Sequence, residues 1–325
     1  MAKPKVYVTR LIPDEGMKLL YEKCDVTVNP YDRVATREEL LENVKGKDAL
    51  LSLLTDTIDA EVFEANPNLK VVANYAVGYN NINLKDAEKY GIPVTNTPGV
   101  LTETTADFAW TLLMATARRI VEADKFNRSG QFKGWGPLLL LGQDVHHKTI
   151  GIIGFGRIGQ AVAQRARGFD MNVLYYDMNK MPDVAAKYDA QYRELDDLIR
   201  ESDFITLHVD LNESTRHLIS DREFGMMKEN AYLINTSRGP VVDEKALVRA
   251  LKEGRIAGAG LDVYEDEPLM APGLAECENA VLAPHTASAT RETRGAMARI
   301  AAENVLAALE GKRPPNIVNP EVLDK

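Results

Sequence analysis

Short runs of aliphatic and β-branched residues alternate with stretches of helical period along the chain. The runs predict strands at Lys5–Thr9, Ala49–Leu54, Lys70–Asn74 and Ile92–Asn96. Six more follow at Thr149–Ile153, Asn172–Asp177, Phe204–Val209, Ala231–Asn235, Gly258–Val263 and Ala280–Ala283. Strands that are apolar throughout are covered on both faces, and strand–helix alternation joins them in parallel. The expected class is therefore α/β, with two doubly wound parallel sheets, the first four strands in one and the later six in the other.

Two longer helical patterns stand out. One, about Thr104–Arg118, is capped by the Thr102–Thr105 region and is apolar nearly all round, through Phe108, Trp110, Leu112, Leu113 and Met114. The other spans about Arg291–Leu309. Pro98–Gly99 breaks the pattern at Thr97–Gly99 and marks a seam. Residues Arg128–Leu141 have no period, yet carry four leucines beside Trp135. Exposed, they would be costly, so they either fold onto their own chain or meet another subunit.

Composition narrows the class. A chain of 325 residues, 45% hydrophobic, is long for one core and points to two domains. The net charge of −9 disfavours nucleic acid and anionic lipid as partners. Cys24 and Cys277, far apart, suggest neither a disulfide framework nor a metal site. No apolar run approaches the ~20 residues of a spanning helix. The first ten residues lead into a strand pattern without a signal-peptide core, so a reducing, cytoplasmic setting is expected.

Candidate chemistry begins at Thr149–Ala166, TIGIIGFGRIGQAVAQRA, where Gly154, Gly156 and Gly159 form G-x-G-x-x-G between a strand and a helix. That context is the one a dinucleotide needs: a tight turn, close approach of backbone to a pyrophosphate, and a helix N-terminus facing it. Asp177 closes the next strand, 23 positions after Gly154. A carboxylate there accepts ribose hydroxyls and repels a 2′-phosphate, which predicts NAD as cofactor. Lys180 is the one nearby cation that complicates this choice.

Of five histidines, His285 follows the strand AVLAP at the sheet end where ligands bind, a position that favours a functional role. His208 reads as structural, His217 likewise, and His146 and His147 as solvated. Arg238, in the rigid turn NTSRGP, could present its fork to a carboxylate. Spacing alone leaves Glu265, Asp266 and Glu267 equivalent as an acidic partner.

The segments IIGFGRIGQAVA, MMKENAYLINTSRGPVVDEKALVRALKEGRIAGAGLDVYEDEP and LAPHTAS resemble the D-isomer-specific 2-hydroxyacid dehydrogenases, as do NYAVGYNNIN and TNTPGVLTETTADFAW. Within that family the chain is most similar to glyoxylate/hydroxypyruvate reductases. The resemblance implies a Rossmann NAD-binding domain over residues 99–286. It implies a flavodoxin-like substrate domain over 1–98 and 287–325, with a hinge and a cleft between them.

It also implies roles. Arg238 would bind the substrate carboxylate and carbonyl, His285 would give or take the proton, and Glu267 would pair with His285 and favour its charged form. The backbone at Val77–Gly78 would hold the carboxylate. Thr105, Val209, Thr236, Asp262 and Ser288 would lie near the cofactor, with Phe155, Arg157 and Ile158 on the glycine-rich turn. One departure is Asp210, where relatives often have Pro, and it bears on the loop near the adenine side. The implied reaction is NADH-dependent reduction of glyoxylate, hydroxypyruvate or pyruvate to the D-2-hydroxy acid, in a homodimer and with no metal. The rival of another class is a NAD-sensing corepressor-like interaction protein. It ranks lower because such proteins carry a further tail, whereas this sequence stops at Lys325. Formate dehydrogenase ranks lower because its members usually have Gln at the position of Glu267. Phosphoglycerate dehydrogenase of the long type has a further regulatory domain.

Overall fold

In the computed structural model, which describes residues 2–323, the apolar runs pair as parallel strands in two separate sheets. The first contains β1 (Lys5–Val8), β2 (Asp25–Val28), β3 (Ala49–Ser52), β4 (Val71–Asn74) and β5 (Val94–Thr95), in the order β2-β1-β3-β4-β5. The crossovers carry α1 (Asp14–Lys23), α2 (Arg37–Val44), α3 (Ala60–Ala65) and α4 (Leu84–Lys89). Alternation along β1 builds two cores: Val6 and Val8 join Met17, Leu20 and Leu51 on one face, while Tyr7 joins Leu40, Leu50 and Phe63 on the other.

The second sheet contains β6 (Thr149–Ile153), β7 (Asn172–Tyr176), β8 (Ala190–Tyr192), β9 (Phe204–Leu207), β10 (Tyr232–Asn235), β11 (Gly258–Leu261) and β12 (Ala280–Leu282). Their order is β12-β11-β10-β9-β6-β7-β8, all parallel. Its helices are α5 (Thr102–Ala117), α6 (Ile120–Arg128), α7 (Arg157–Ala166), α8 (Pro182–Ala185), α9 (Leu195–Glu201), α10 (Asp221–Phe224) and α11 (Glu244–Lys252). Strand order reverses between β6 and β9, and ligands bind outside the carboxyl ends of the strands at such a point. The chain then forms α12 (Arg291–Leu309), which packs on α1, β3 and β4. Two compact units result: the described residues through Leu101 with those from Ala289 onward, and Thr102–Ser288.

The sheets have five and seven strands rather than four and six. The additional strands, β2 and β8, are edges with no buried position. An edge strand has no need of a continuous apolar run, so its sequence does not announce it. Helix α5 also starts two residues early: Thr102 is already helical rather than capping. Its apolar faces are covered from within, by α7 on one side and β10, β11 and β12 on the other. Trp110 donates its indole N–H to the carbonyl of Val162 (3.2 Å) and stacks on Phe169 (4.8 Å between ring centres). Among the described residues no helix is long and apolar enough to cross a membrane.

Candidate active site

The glycine-rich turn joins β6 to α7. Gly154 has φ +93°, and a Cβ there would lie 2.6 Å from the backbone of His208. A Cβ on Gly159 would lie 2.1 Å from the carbonyl oxygen of Gly154, so only glycine lets α7 sit this close to the turn. Gly156 differs. It caps α7, no side chain bonds the first helical N–H groups, and a Cβ there would meet nothing within 4 Å. The open space and free donors suit a diphosphate at the positive end of the helix. The Oγ1 of Thr236 is a second sign of a missing partner, being buried without a hydrogen bond. The residues present therefore fit a dinucleotide.

Asp177 follows β7 directly. One carboxylate oxygen accepts from the N–H of Phe155 (2.8 Å) and the other from that of Asn179 (3.0 Å), which locks the carboxylate beside the turn. The Phe155 ring is buried and stacks on Tyr175, so only its backbone belongs to the turn surface. Arg157 is exposed and Ile158 half-buried on the first turn of α7. Lys180 lies over the Tyr192 ring (4.2 Å) and 3.7 Å from Glu194, turned toward its own partners.

The loops after β10, β11 and β12 bring the polar constellation together. Asp262, buried just past β11, holds the turn after β12 through four bonds, the longest from the Thr286 hydroxyl (3.4 Å). Its carbonyl accepts from the N–H of His285 (2.8 Å), and its carboxylate accepts from Thr286 (2.6 Å) and Ala287 (2.8 Å). Burial pushes this carboxyl above its ordinary value, against those hydrogen bonds and the charge of His285. His285 itself has φ +55°. Its Nδ1 lies 2.9 Å from one oxygen of Glu267, whose other oxygen accepts from the N–H of Tyr264 (3.1 Å). With Nδ1 engaged, Nε2 is the ring atom left for chemistry. Burial alone would raise Glu267, but its bond to His285, the charge of that ring, the Tyr264 N–H and the charge of Arg238 together hold it below its ordinary value.

Arg238 sits in the turn after β10. A Cβ on the neighbouring Gly239 would fall 1.8 Å from the carbonyl oxygen of Tyr264, so glycine lets this turn lie against the loop bearing Glu267. Burial pulls the guanidinium below its ordinary value, opposed by the charges of Asp210 and Glu267. The departure at Asp210 thus bears on the arginine of the site, a role that the sequence pattern had placed toward the adenine side.

Geometry separates the three acids that spacing left equivalent. Glu267 faces His285, whereas Glu265 faces His217 Nε2 at 2.6 Å and Arg216 at 3.4 Å. Behind Glu265 is the buried Glu244, which accepts from the backbone N–H groups of Ala271 (2.8 Å) and Glu265. No sequence motif signalled that support. His208 shares a hydrogen bond with Thr206 (2.9 Å), and burial pushes its imidazole down to about 3, so it stays neutral. Thr105 is buried on α5, Val209 is packed beside Gly154, and Ser288 closes the turn that begins at His285. Val77 and Gly78 belong to the first unit, in the loop after β4.

The chain is similar to known proteins over nearly its whole length. The model of the D-isomer-specific 2-hydroxyacid dehydrogenase NAD-binding domain matches residues 110–287. A glyoxylate reductase of Thermococcus kodakarensis is 53% identical over 99% of this chain and 98% of its own. A crystal structure from Thermus thermophilus superposes with a TM-score of 0.91 at 44% identity, covering 97% of this chain and 99% of the other. An NADPH-dependent glyoxylate/hydroxypyruvate reductase from Sinorhizobium meliloti superposes at 0.85 with 31% identity, over 97% and 98%. With the glycine-rich turn, the His285–Glu267 pair and the Arg238 turn all in one unit, the chain belongs to the D-isomer-specific 2-hydroxyacid dehydrogenases and is an oxidoreductase.

Proposed function

We propose that the protein transfers hydride from NADH to C2 of a small 2-keto acid, with glyoxylate ahead of hydroxypyruvate and pyruvate, to give the D-2-hydroxy acid. The observation that carries this reading is the 2.9 Å contact of His285 with Glu267 on a loop packed against the Arg238 turn. The bound nicotinamide supplies the hydride. His285 holds the proton for the carbonyl oxygen, and Glu267 fixes the orientation of the ring through Nδ1. Arg238 meets the carboxylate and the developing negative charge with a planar fork. The backbone at Val77–Gly78 is assigned to the same carboxylate. Thr105, Thr236, Asp262, His285 and Ser288 are assigned to the nicotinamide half of the cofactor. Gly154, Phe155, Gly156, Arg157, Ile158, Gly159, Asp177 and Val209 are assigned to the rest.

The test is loss of NADH absorbance with a panel of 2-keto acids. Turnover of glyoxylate supports the reading. NADH binding without turnover of any of them would favour the NAD-sensing interaction protein.

Cofactor choice rests on Asp177. Its carboxylate is held in place, Met178 and Asn179 bring no cation, and Lys180 is engaged with Tyr192 and Glu194. NADH should exceed NADPH by at least about tenfold in kcat/KM, or ~1.4 kcal/mol. Asp177→Ser with Met178→Arg should shrink or reverse that preference, and equal use of both cofactors by the wild type would remove Asp177 from the choice.

A homodimer is part of the same proposal, carried by α6 and the stretch up to Leu141 rather than by the apolar helix α5. Helix α5 is covered by its own unit, but α6 has no buried residue. Ile120, Trp135 and Leu138 are 57%, 84% and 80% exposed, and Phe132 and Leu141 stand open beside them. So much open apolar surface on neighbouring segments marks a contact surface. Light scattering at micromolar concentration should give twice the chain mass.

A further inference from the structure

The loop between β4 and α4, which the proposed function assigns to the substrate carboxylate, is held by its carbonyls. The carbonyl of Ala76 accepts from the N–H of Thr97 (2.8 Å), that of Val77 from the side-chain amide of Asn96 (2.7 Å), and that of Gly78 from the side-chain amide of Asn74 (2.9 Å). In a planar trans peptide the N–H points opposite to the C=O. Fixing the carbonyl of Val77 therefore fixes the N–H of Gly78, and fixing that of Gly78 fixes the N–H of Tyr79. Each points away from its asparagine. Among the described residues, neither of these N–H groups donates a hydrogen bond, although Gly78 is half-buried. The Gly78 donor, unpaired in a half-buried position, calls for an acceptor from outside the chain, and Tyr79, 40% exposed, leaves its donor open to one.

The two asparagines are themselves built in. Asn74 is fully buried and Asn96 is 8% exposed. The Asn74 carbonyl oxygen accepts from Ser52 (3.2 Å), and its amide also reaches Asn81 (3.1 Å). Asn81 in turn donates to the carbonyls of Leu53 (3.1 Å) and Asp56 (2.9 Å). The backbone of Asn96 is gripped by Asn304 of α12 (3.1 Å) and by the carbonyl of Asn316 (3.2 Å). Buried amides persist where their hydrogen bonds are satisfied, and a satisfied network fixes one geometry. The rigidity of the core is thereby passed to two particular N–H vectors.

We propose that Asn96 and Asn74 are positioning residues for substrate: by holding the carbonyls of Val77 and Gly78 they aim the N–H groups of Gly78 and Tyr79 at the carboxylate of the 2-keto acid. The inference rests on the proposed reaction, and its test separates the two. Asn96→Ala frees the Val77–Gly78 peptide to rotate. KM for glyoxylate should rise about tenfold (~1.4 kcal/mol), while kcat and KM for NADH stay within about twofold, since proton transfer and hydride transfer are untouched.

A direct readout is the amide resonance of Gly78 in [15N]glycine-labelled protein, assigned through Gly78→Ala. Oxalate should shift it in the wild type and not in Asn96→Ala. Asn96→Asp, of the same shape but with an oxygen facing the Val77 carbonyl, should raise KM at least as much and covers the case in which the alanine variant fails to fold. Unchanged KM and an unchanged oxalate shift in a folded variant would overturn the positioning role and leave the proposed reaction standing. A wild type that reduces no 2-keto acid would instead overturn the reaction, and the inference with it.

Discussion

Two histidine–carboxylate pairs grow from one acidic loop. Glu267 meets His285 at 2.9 Å and Glu265 meets His217 at 2.6 Å, and both histidines have positive φ, +55° and +50°. Contact length therefore does not mark the functional pair. What differs is the surroundings. The His285 pair is tied through Asp262 to the turn after β12, and its loop packs against the turn of Arg238, whose charge acts on Glu267. The His217 pair is backed by Glu244, whose carboxylate is spent on backbone N–H groups of the loop itself. The first pair engages Nδ1 and lies on the loop packed against the Arg238 turn, whereas the second engages Nε2 and is braced by Glu244.

The largest separation should come from the histidines. His285→Ala is expected to lower glyoxylate reduction by ~10²–10⁴-fold with NADH binding retained, the usual weight of a general acid. More than half of wild-type turnover at neutral pH would end the assignment. Next comes Arg238→Lys. Lysine keeps the charge and loses the fork, and a bond to a charged group is worth ~1.5–3 kcal/mol, so kcat/KM should fall about 10–100-fold, nearly as far as in Arg238→Ala. Recovery of most activity by lysine would reduce the role to simple attraction.

Glu267→Gln tests the electrostatics of the pair. In the proposed reaction His285 gives the proton, and Glu267 holds its Nδ1 at 2.9 Å. Glu267 is itself held low by that bond and charge despite its burial. Without the negative charge against the ring, kcat/KM for glyoxylate should fall about tenfold, or ~1.4 kcal/mol. The same depression has a stability consequence with a definite sign. A carboxyl lowered on folding adds stability above its unfolded pKa and loses it as pH falls through the folded value. The glutamine variant should therefore lose less stability than wild type across the acidic carboxyl range in denaturant titrations.

How much of this was legible in the sequence follows physical lines. The glycine-rich turn, Asp177 and helix Arg291–Leu309 were readable because each combines a local period with residues that local geometry demands. The edges β2 and β8 were not, because an edge strand carries no continuous apolar signal. Spacing could not tell Glu265 from Glu267, since residues two apart in a loop are assigned by what folds against them, here His217 from one segment and His285 from another. The asparagine frame under Val77 and Gly78 was also silent: Asn74, Asn96 and Asn304 are distant in sequence, and amides give no periodic pattern. The leucines beside Trp135 were visible as a hydrophobic run, but only exposure showed that their own unit leaves most of them uncovered.

The smallest effect sharpens the comparison most. His217 and Glu265 have side chains 37% and 21% exposed, and an ion pair this open is worth ~0–1 kcal/mol. The loop is held independently by Glu244 through two backbone N–H groups and by Tyr264, whose hydroxyl donates to the carbonyl of Ala283 (2.9 Å). His217→Ala should therefore lower the denaturation midpoint by an amount equivalent to ~1 kcal/mol or less, and leave kcat/KM for glyoxylate within about threefold. Its pH profile should overlay that of the wild type, because the pair proposed to handle the proton is the other one. A shifted profile in His217→Ala, with the fold intact, would mean that the two pairs are coupled through the Glu265–Glu267 segment, and that the acidic loop works as one proton-sensing unit.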